Sequence, residues 1–179
     1  MILPFSQQIN GKETLFPERI LKGLLEYYER RESPMTLEIV ECIYDYGAFD
    51  GYLTCDDCLA TVDQQFAKVH SMREDKKNRW KAGILIDFFI NVRQKNMYRF
   101  APKIHVVSTQ EIEIRYTKKK EPRIFIDGKM FYTSNFSRSH DIKMLHFAHA
   151  DGFDSVEEFF DYFNTDFTGK IIHWTDKRY

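Results

Sequence analysis

Apolar residues recur at helical spacing in the first quarter of the chain, alternate with polar ones through its middle, and return to helical spacing near the end. In TLFPERILKGLLEYYERR (14–31), Ile20, Leu21, Leu24 and Leu25 fall on one helical face. Pro17 suits the first turn of that helix and Glu18 its positive end. SPMTLEIVECIYDYG (33–47) predicts a second helix, with Pro34 near its start and Gly47 at its stop. The acidic stretch 48–66 predicts a further short helix. After Gly83 the texture becomes β-like. ILIDFFINVRQ (84–94) is rich in Ile, Phe and Val, and in KIHVVSTQEIEIRY (103–116) Ile112, Ile114 and Tyr116 alternate with polar residues. KKKEP (118–122) reads as a turn, RIFIDGKMFY (123–132) as a hairpin about Asp127-Gly128, and TSNFSRSH (133–140) as a polar loop. IKMLHFAHADGF (142–153) predicts a helix ending at Gly152. In DSVEEFFDYFN (154–164), Ser155 and Glu158 have capping-box spacing, with Phe159, Phe160 and Phe163 on the buried side. GKIIHWTDKRY (169–179) predicts a closing strand. Helices, then strands, then a helical pair and a last strand make an α+β domain, without internal repeat.

At 179 residues the chain has the size of one domain, 1–179, large enough to remove roughly 70% of its unfolded surface from water. A 43% apolar fraction with sixteen Phe and ten Tyr places it among globular rather than disordered chains. A net charge of −1 argues against polyanion binding over the whole surface and leaves only a local patch for it. The first residues lack the pattern of a signal peptide. No apolar run approaches the roughly 20 residues that cross a bilayer, so the expectation is a cytoplasmic protein without a membrane partner. Three cysteines do not make a closed disulfide framework.

Cys55 and Cys58 have half the spacing of a zinc site, with Cys42 upstream, but no second pair follows. The two intervening aspartates raise thiol pKa values rather than lower them. His146 and His149 lie three apart on one predicted helix, without an acidic companion of the kind a metalloprotease carries. Neither set predicts a bound metal or other cofactor, and no glycine-rich phosphate loop or nucleophile elbow occurs. The distinctive stretch is AKVHSMREDKKNRWKAG (67–83), where six basic residues face two acidic ones. It is either a solvated loop or a rim for an anionic ligand. Trp80 among cations favours the rim, as a ring that stacks a base beside groups that hold phosphate. Arg115, Lys118, Lys119, Lys120 and Arg123 form a second basic cluster. In the bland alternative, Arg73 pairs with Glu74 or Asp75 at the surface and contributes little.

LFPERILKGL (15–24), KVHSMRED (68–75) and the turn Trp80-Lys81-Ala82-Gly83 leading into a strand resemble the ASCH domain of the PUA-like superfamily, as do Ala150-Asp151-Gly152-Phe153-Asp154-Ser155 and GKIIHW (169–174). The resemblance covers most of residues 13–25 and 66–179. It leaves 26–65 as a helical insertion and 122–133 as a possible second extension. It implies a small β-barrel with flanking helices and a ligand cleft at the barrel mouth. Family members are proposed to bind RNA, and one branch removes the acyl group from N4-acetylcytidine with a Lys, a Thr and a Glu.

Carried over by motif, the lysine is Lys68, the hydroxyl is Ser71 and the acid is Asp151 at the end of its helix. Ser for Thr keeps a nucleophilic hydroxyl; Asp for Glu shortens the arm by one methylene, and Glu74 is another carboxylate nearby. Lys68 and Ser71, three apart, can be aimed at one ligand by a turn or extended bend. Three functions follow as expectations. The first is binding of RNA or a nucleotide through Arg73, Lys76, Lys77, Arg79 and Trp80. The second is hydrolysis of an N-acylated cytidine-like nucleoside by Lys68, Ser71 and Asp151. The third is docking of a protein partner on 26–65, with a vestigial cleft.

Overall fold

The computed structural model describes residues 1–134 and 138–179. The described residues form a mixed α+β structure of five helices and several sheets, none of them closed into a barrel. The polar loop expected over 133–140 falls in part on 135–137, outside the described residues. The chain divides into two compact units, Met1–Val69 with Leu85–His105, and His70–Ile84 with Val106–Tyr179.

In the first unit, strand β1 (Ile2–Phe5) pairs in parallel with β5 (Leu85–Ile90), which also pairs antiparallel with β6 (Tyr98–Arg99) and β7 (Ile104–His105). Alternation turns Leu3 and Phe5 inward against Phe88 and Phe100. A small hairpin, β2 (Gln8–Ile9) and β3 (Lys12–Glu13), turns on Asn10-Gly11, both at positive φ. Helix α1 (Phe16–Glu29) buries Ile20, Leu21, Leu24 and Tyr27. The 26–65 segment carries the end of α1 and helices α2 (Met35–Asp50) and α3 (Cys55–Gln64). Helix α2 runs past the expected stop at Gly47 and ends on Gly51, which takes the left-handed conformation that glycine adopts without strain. Gly47 instead lets α3 approach: a Cβ there would stand 2.7 Å from the Cys58 Cβ.

The second unit is built on a five-stranded antiparallel sheet in the order β10 (Lys129–Thr133), β9 (Pro122–Ile126), β8 (Ser108–Tyr116), β11 (Phe167–His173), β4 (His70–Arg73). Asp127 and Gly128 both have positive φ, the geometry of a two-residue hairpin turn between β9 and β10. The expected strand over 103–116 is two strands, because Val106 and Val107 leave one sheet for the other; Val107 N–H donates to the His173 carbonyl at 2.8 Å. Register places Ile112, Ile114, Ile124, Ile126 and Ile171 on one sheet face. Helices α4 (Arg138–Asp151) and α5 (Val156–Tyr162) bring Met144, Phe147, Phe153 and Phe159 into the same core. Ser155 caps α5, accepting from the Glu158 N–H at 3.2 Å as its spacing predicts.

One buried acid in the first unit works against stability at neutral pH. Glu18 on α1 is almost fully buried; its Oε1 accepts from Tyr52 Oη at 3.3 Å, and its Oε2 has no hydrogen-bond partner among the described residues. Burial, reinforced by Asp50, pushes its pKa up to about 6. A raised carboxyl pKa favours the fold while the acid is protonated, and that contribution is lost as pH rises through 6. Glu18→Gln should therefore raise stability by up to about 2 kcal/mol at pH 8 and change little near pH 4.5. Chemical denaturation at the two pH values checks this, and an equal loss at both would contradict it.

Candidate functional site

The stretch around which the basic residues gather begins as an edge strand. Among the described residues β4 pairs only with β11, register His70 to His173 through Arg73 to Lys170, and alternation puts His70 and Met72 on one face, Ser71 and Arg73 on the other. Ser71 is 2% exposed. Arg73 is largely buried, which lowers its pKa from the usual arginine value against the opposing pull of Asp151 and Tyr162. It stays a cation, and its Nη1 donates to the Met72 carbonyl at 3.2 Å.

Beyond Arg73 the chain turns on Asp75. Its carboxylate accepts the N–H groups of Arg79 and Trp80, each at 2.8 Å, and its carbonyl accepts from Asn78 N–H, also at 2.8 Å. Asn78 takes the left-handed conformation that asparagine tolerates. From β11, Lys170 reaches into this turn. Its Nζ lies 3.6 Å from the Asp75 carboxylate and 3.7 Å from Glu111, and donates to the Trp80 carbonyl at 3.1 Å and to Asn78 Oδ1. Burial raises the Asp75 pKa, but the two N–H donors and Lys170 outweigh it and hold the carboxyl below its ordinary value. Of the loop's two acids Asp75 therefore faces inward, while Glu74, Lys76, Lys77, Arg79 and Lys81 are exposed. Lys76 also pairs with Glu74 at 3.0 Å, an exposed contact of small energetic weight.

One expectation is corrected here. Trp80 is 5% exposed, so its ring is part of the packed interior and not an open stacking platform. Asp75 is held by Lys170, which no local signal in the sequence marks. The second basic cluster is also reduced, because Glu113 holds Arg115 in a fork, Nε to Oε1 at 2.6 Å and Nη2 to Oε2 at 2.7 Å. Glu111 sits level with Arg73 across β11, and Arg115 lies four residues farther along β8, about 13 Å. Acidic side chains thus punctuate the sheet between the two clusters.

On the opposite sheet face a polar row crosses three strands. His70 stands beside His173, and His173 beside Ser108. His70 and His173 are fully buried, ring centroids 5.5 Å apart. Asp151, 4% exposed at the end of α4, has its Oδ1 4.0 Å from His70 Nε2. No local signal in the sequence names that neighbour of Asp151. Tyr179 closes the row, its hydroxyl 3.3 Å from His70 Nδ1. Both ring nitrogens of His173 and the Ser108 hydroxyl are buried without a hydrogen-bond partner among the described residues. Each such group costs about 1–3 kcal/mol. Burial, with Arg178 and then Lys177 adding to it and Asp127 opposing, pushes the His173 pKa down to about 4, so its ring is neutral at pH 7.

Lys68, in the first unit, is 2% exposed. Its backbone N–H donates to the Arg19 carbonyl at 2.8 Å, and its ammonium lies 4.9 Å from the centre of the Phe16 ring, a favourable setting for a desolvated cation. Cys42 and Cys58 thiols are pushed up to about 11, by burial first and neighbouring carboxylates second. Cys58 donates to the Ile43 carbonyl. His149 Nε2 lies 3.1 Å from the Asp154 carbonyl, and His146 is exposed. No group of three or more metal-ligating side chains occurs among the described residues, nor a helix long and apolar enough to cross a membrane. In the acidic segment, a groove of about 360 Å³ is lined by Leu25, Asp56, Leu59, Ala60, Val62 and Asp63. Comparison with protein-family models, curated proteins and solved structures gives no match.

Lys170→Met should leave the Asp75 carboxylate buried without its cation and cost about 3 kcal/mol or more; a variant as stable as the parent would refute the anchoring role. A histidine whose folded pKa is depressed contributes stability that is full above pH 6.5 and is lost as pH falls towards 4. His173→Leu should abolish that loss, about 3 kcal/mol across the window, and be neutral or stabilising at pH 7. Melting temperatures between pH 4 and 8 decide it; an unchanged acid slope would contradict the assignment.

Proposed function

We propose that the chain is an ASCH-like module of the PUA-like class that binds RNA or a nucleotide through the exposed bases of the 74–81 loop. The observation that carries this is the division of charge within the loop. Asp75 is turned inward and bound by Lys170, Arg79 N–H and Trp80 N–H, while Lys76, Lys77, Arg79 and Lys81 stand outward. A loop that was merely solvated would not need a buried ion pair to fix its shape. Fixing it presents several cations together on a chain of net charge −1, the directed patch that phosphate recognition requires. The order of elements fits the same reading: HSMR of the KVHSMR segment as β4, the Trp80–Gly83 turn leading towards β5, and the closing β11 paired to β4.

A second reading rests on a different observation. Lys68, Ser71 and Asp151 are each at most 4% exposed. Buried ionisable and nucleophilic groups are enriched at reactive sites. Ser71 lies on the sheet face opposite His70, beside which Asp151 stands, so this reading rests on the burial of each residue and on the resemblance alone, and N4-acetylcytidine is the substrate to offer.

Binding of a labelled single-stranded RNA should weaken steeply with salt. Replacing Lys76 and Lys77 by Ala should weaken it uniformly across sequences and flatten the logarithmic salt slope by up to about 1.4, near 0.7 for each phosphate no longer neutralised. Affinity unchanged in the double variant would sink the binding reading. For the second reading, release of acetate from N4-acetylcytidine should vanish in folded Lys68→Ala; absence of release by the parent chain would end it.

A further inference from the structure

Residues 176–179 fold over the polar row of the second unit, where a buried amide, that of Gln110, grips Tyr179. Gln110 is 2% exposed. Tyr179 N–H donates to Gln110 Oε1 at 2.9 Å, and Gln110 Nε2 donates to the Tyr179 carbonyl and to Asp127 Oδ2, both at 2.8 Å. The Tyr179 ring stands in a cage of Phe147, His70, Phe131 and His173, with centroids 4.8, 5.4, 5.5 and 6.0 Å away. The fit is good for the ring and poor for the polar lining. Tyrosine brings one hydroxyl, and that hydroxyl meets His70. Ser108 Oγ, His173 Nδ1 and His173 Nε2 are left without a protein partner among the described residues, although all three are buried.

We propose that this cage is a nucleobase subsite and that residues 176–179 are a removable plug standing in it. The proposal rests on the reading of the chain as an RNA- or nucleotide-binding module, and names the part of that ligand which the sheet would hold. Gln110 presents an acceptor beside a donor, the complement of a base edge such as N6–H and N7 of adenine. Tyr179 N–H and C=O satisfy that pair now. Aromatic walls suit a flat heterocycle as well as they suit a phenol ring. A base also carries hydrogen-bonding atoms around its rim, which a neutral His173 and the Ser108 hydroxyl could meet and a tyrosine cannot. Withdrawal of this segment takes two hydrogen bonds from Gln110, which keeps only Asp127 of its three partners, so a ligand with a matching donor and acceptor competes best for the place. No bond is made or broken in this exchange.

Calorimetric titration with adenosine, guanosine, cytidine and uridine tests it, because nucleosides carry no phosphate and report on the cage alone. Tyr179→Ala should bind its preferred nucleoside about tenfold or more tightly than the parent chain, and Gln110→Leu added to it should cancel the gain. A folded Tyr179→Ala with no gain for any of the four overturns the proposal, as does a gain that survives Gln110→Leu. If Tyr179→Ala does not fold, the ring resonances of His70 and His173 in the parent chain decide. Shifts of both with millimolar nucleoside uphold the subsite, and unmoved signals overturn it. Failure of the RNA reading is distinguishable, since it would appear as salt-independent or absent RNA binding with the nucleoside result untouched.

Discussion

The ammonium of Lys170, buried on the sheet and shared among Asp75, Glu111, Asn78 and the Trp80 carbonyl, is the interaction on which the shape of the basic loop depends. A lysine removed from water is costly unless its donors are met, and here each partner is a group that would otherwise be difficult to bury or to fix. Asp75 in turn collects two backbone N–H groups, so a single ion pair sets the path of residues 75–80. The side chains of Lys76, Lys77 and Arg79 have no part in this network. They are held apart from the buried Asp75; Lys76 pairs with exposed Glu74, and the charges of Lys77 and Arg79 face outward.

The same sheet treats its two faces differently. The face of Lys170 is a lattice of paired charges, Glu111 with Lys170 and Glu113 with Arg115. The other face is apolar along most of its length and polar at one end, where His70, His173 and Ser108 line up under Tyr179. A core optimised for stability alone would place apolar side chains at those positions. Retaining two imidazoles there keeps a cost in the folded state. Glu18 does the same in the first unit, with a pH dependence of opposite sign. Costs of this kind concentrate where a protein has something to bind or to switch.

Local signals in the sequence are sufficient for much of the architecture. Apolar spacing locates α1, Ser155 and Glu158 locate the start of α5, and Asp127-Gly128 locates the β9–β10 turn, because each reports on neighbours in the chain. The failures share a different cause. Asn10-Gly11 gives no clear hairpin signal because arms of two residues show no alternation. KVHSMR looks like loop, since β4 is made a strand by β11, a hundred residues away. Trp80 reads as an exposed ring because its neighbours are charged, although burial is decided by what packs on it from elsewhere. Lys170 in GKIIHW looks like any surface lysine, and nothing near it in sequence names Asp75 as its partner. Among the candidate residues, the exposure of Lys76, Lys77 and Arg79 is legible; the His70 neighbour of Asp151 and the grip of Gln110 on Tyr179 are not.

The central claim is that the 75–80 loop is a preorganised rim held by Asp75 and Lys170. Amide hydrogen exchange at Arg79 and Trp80 measures that most directly. Both N–H groups donate to a carboxylate that Lys170 holds in place, so the account predicts exchange slowed by orders of magnitude relative to Lys76 and Lys77, with the protection lost in Lys170→Met. Exchange at Arg79 and Trp80 as fast as at the exposed lysines would show a mobile, solvated loop and contradict the account.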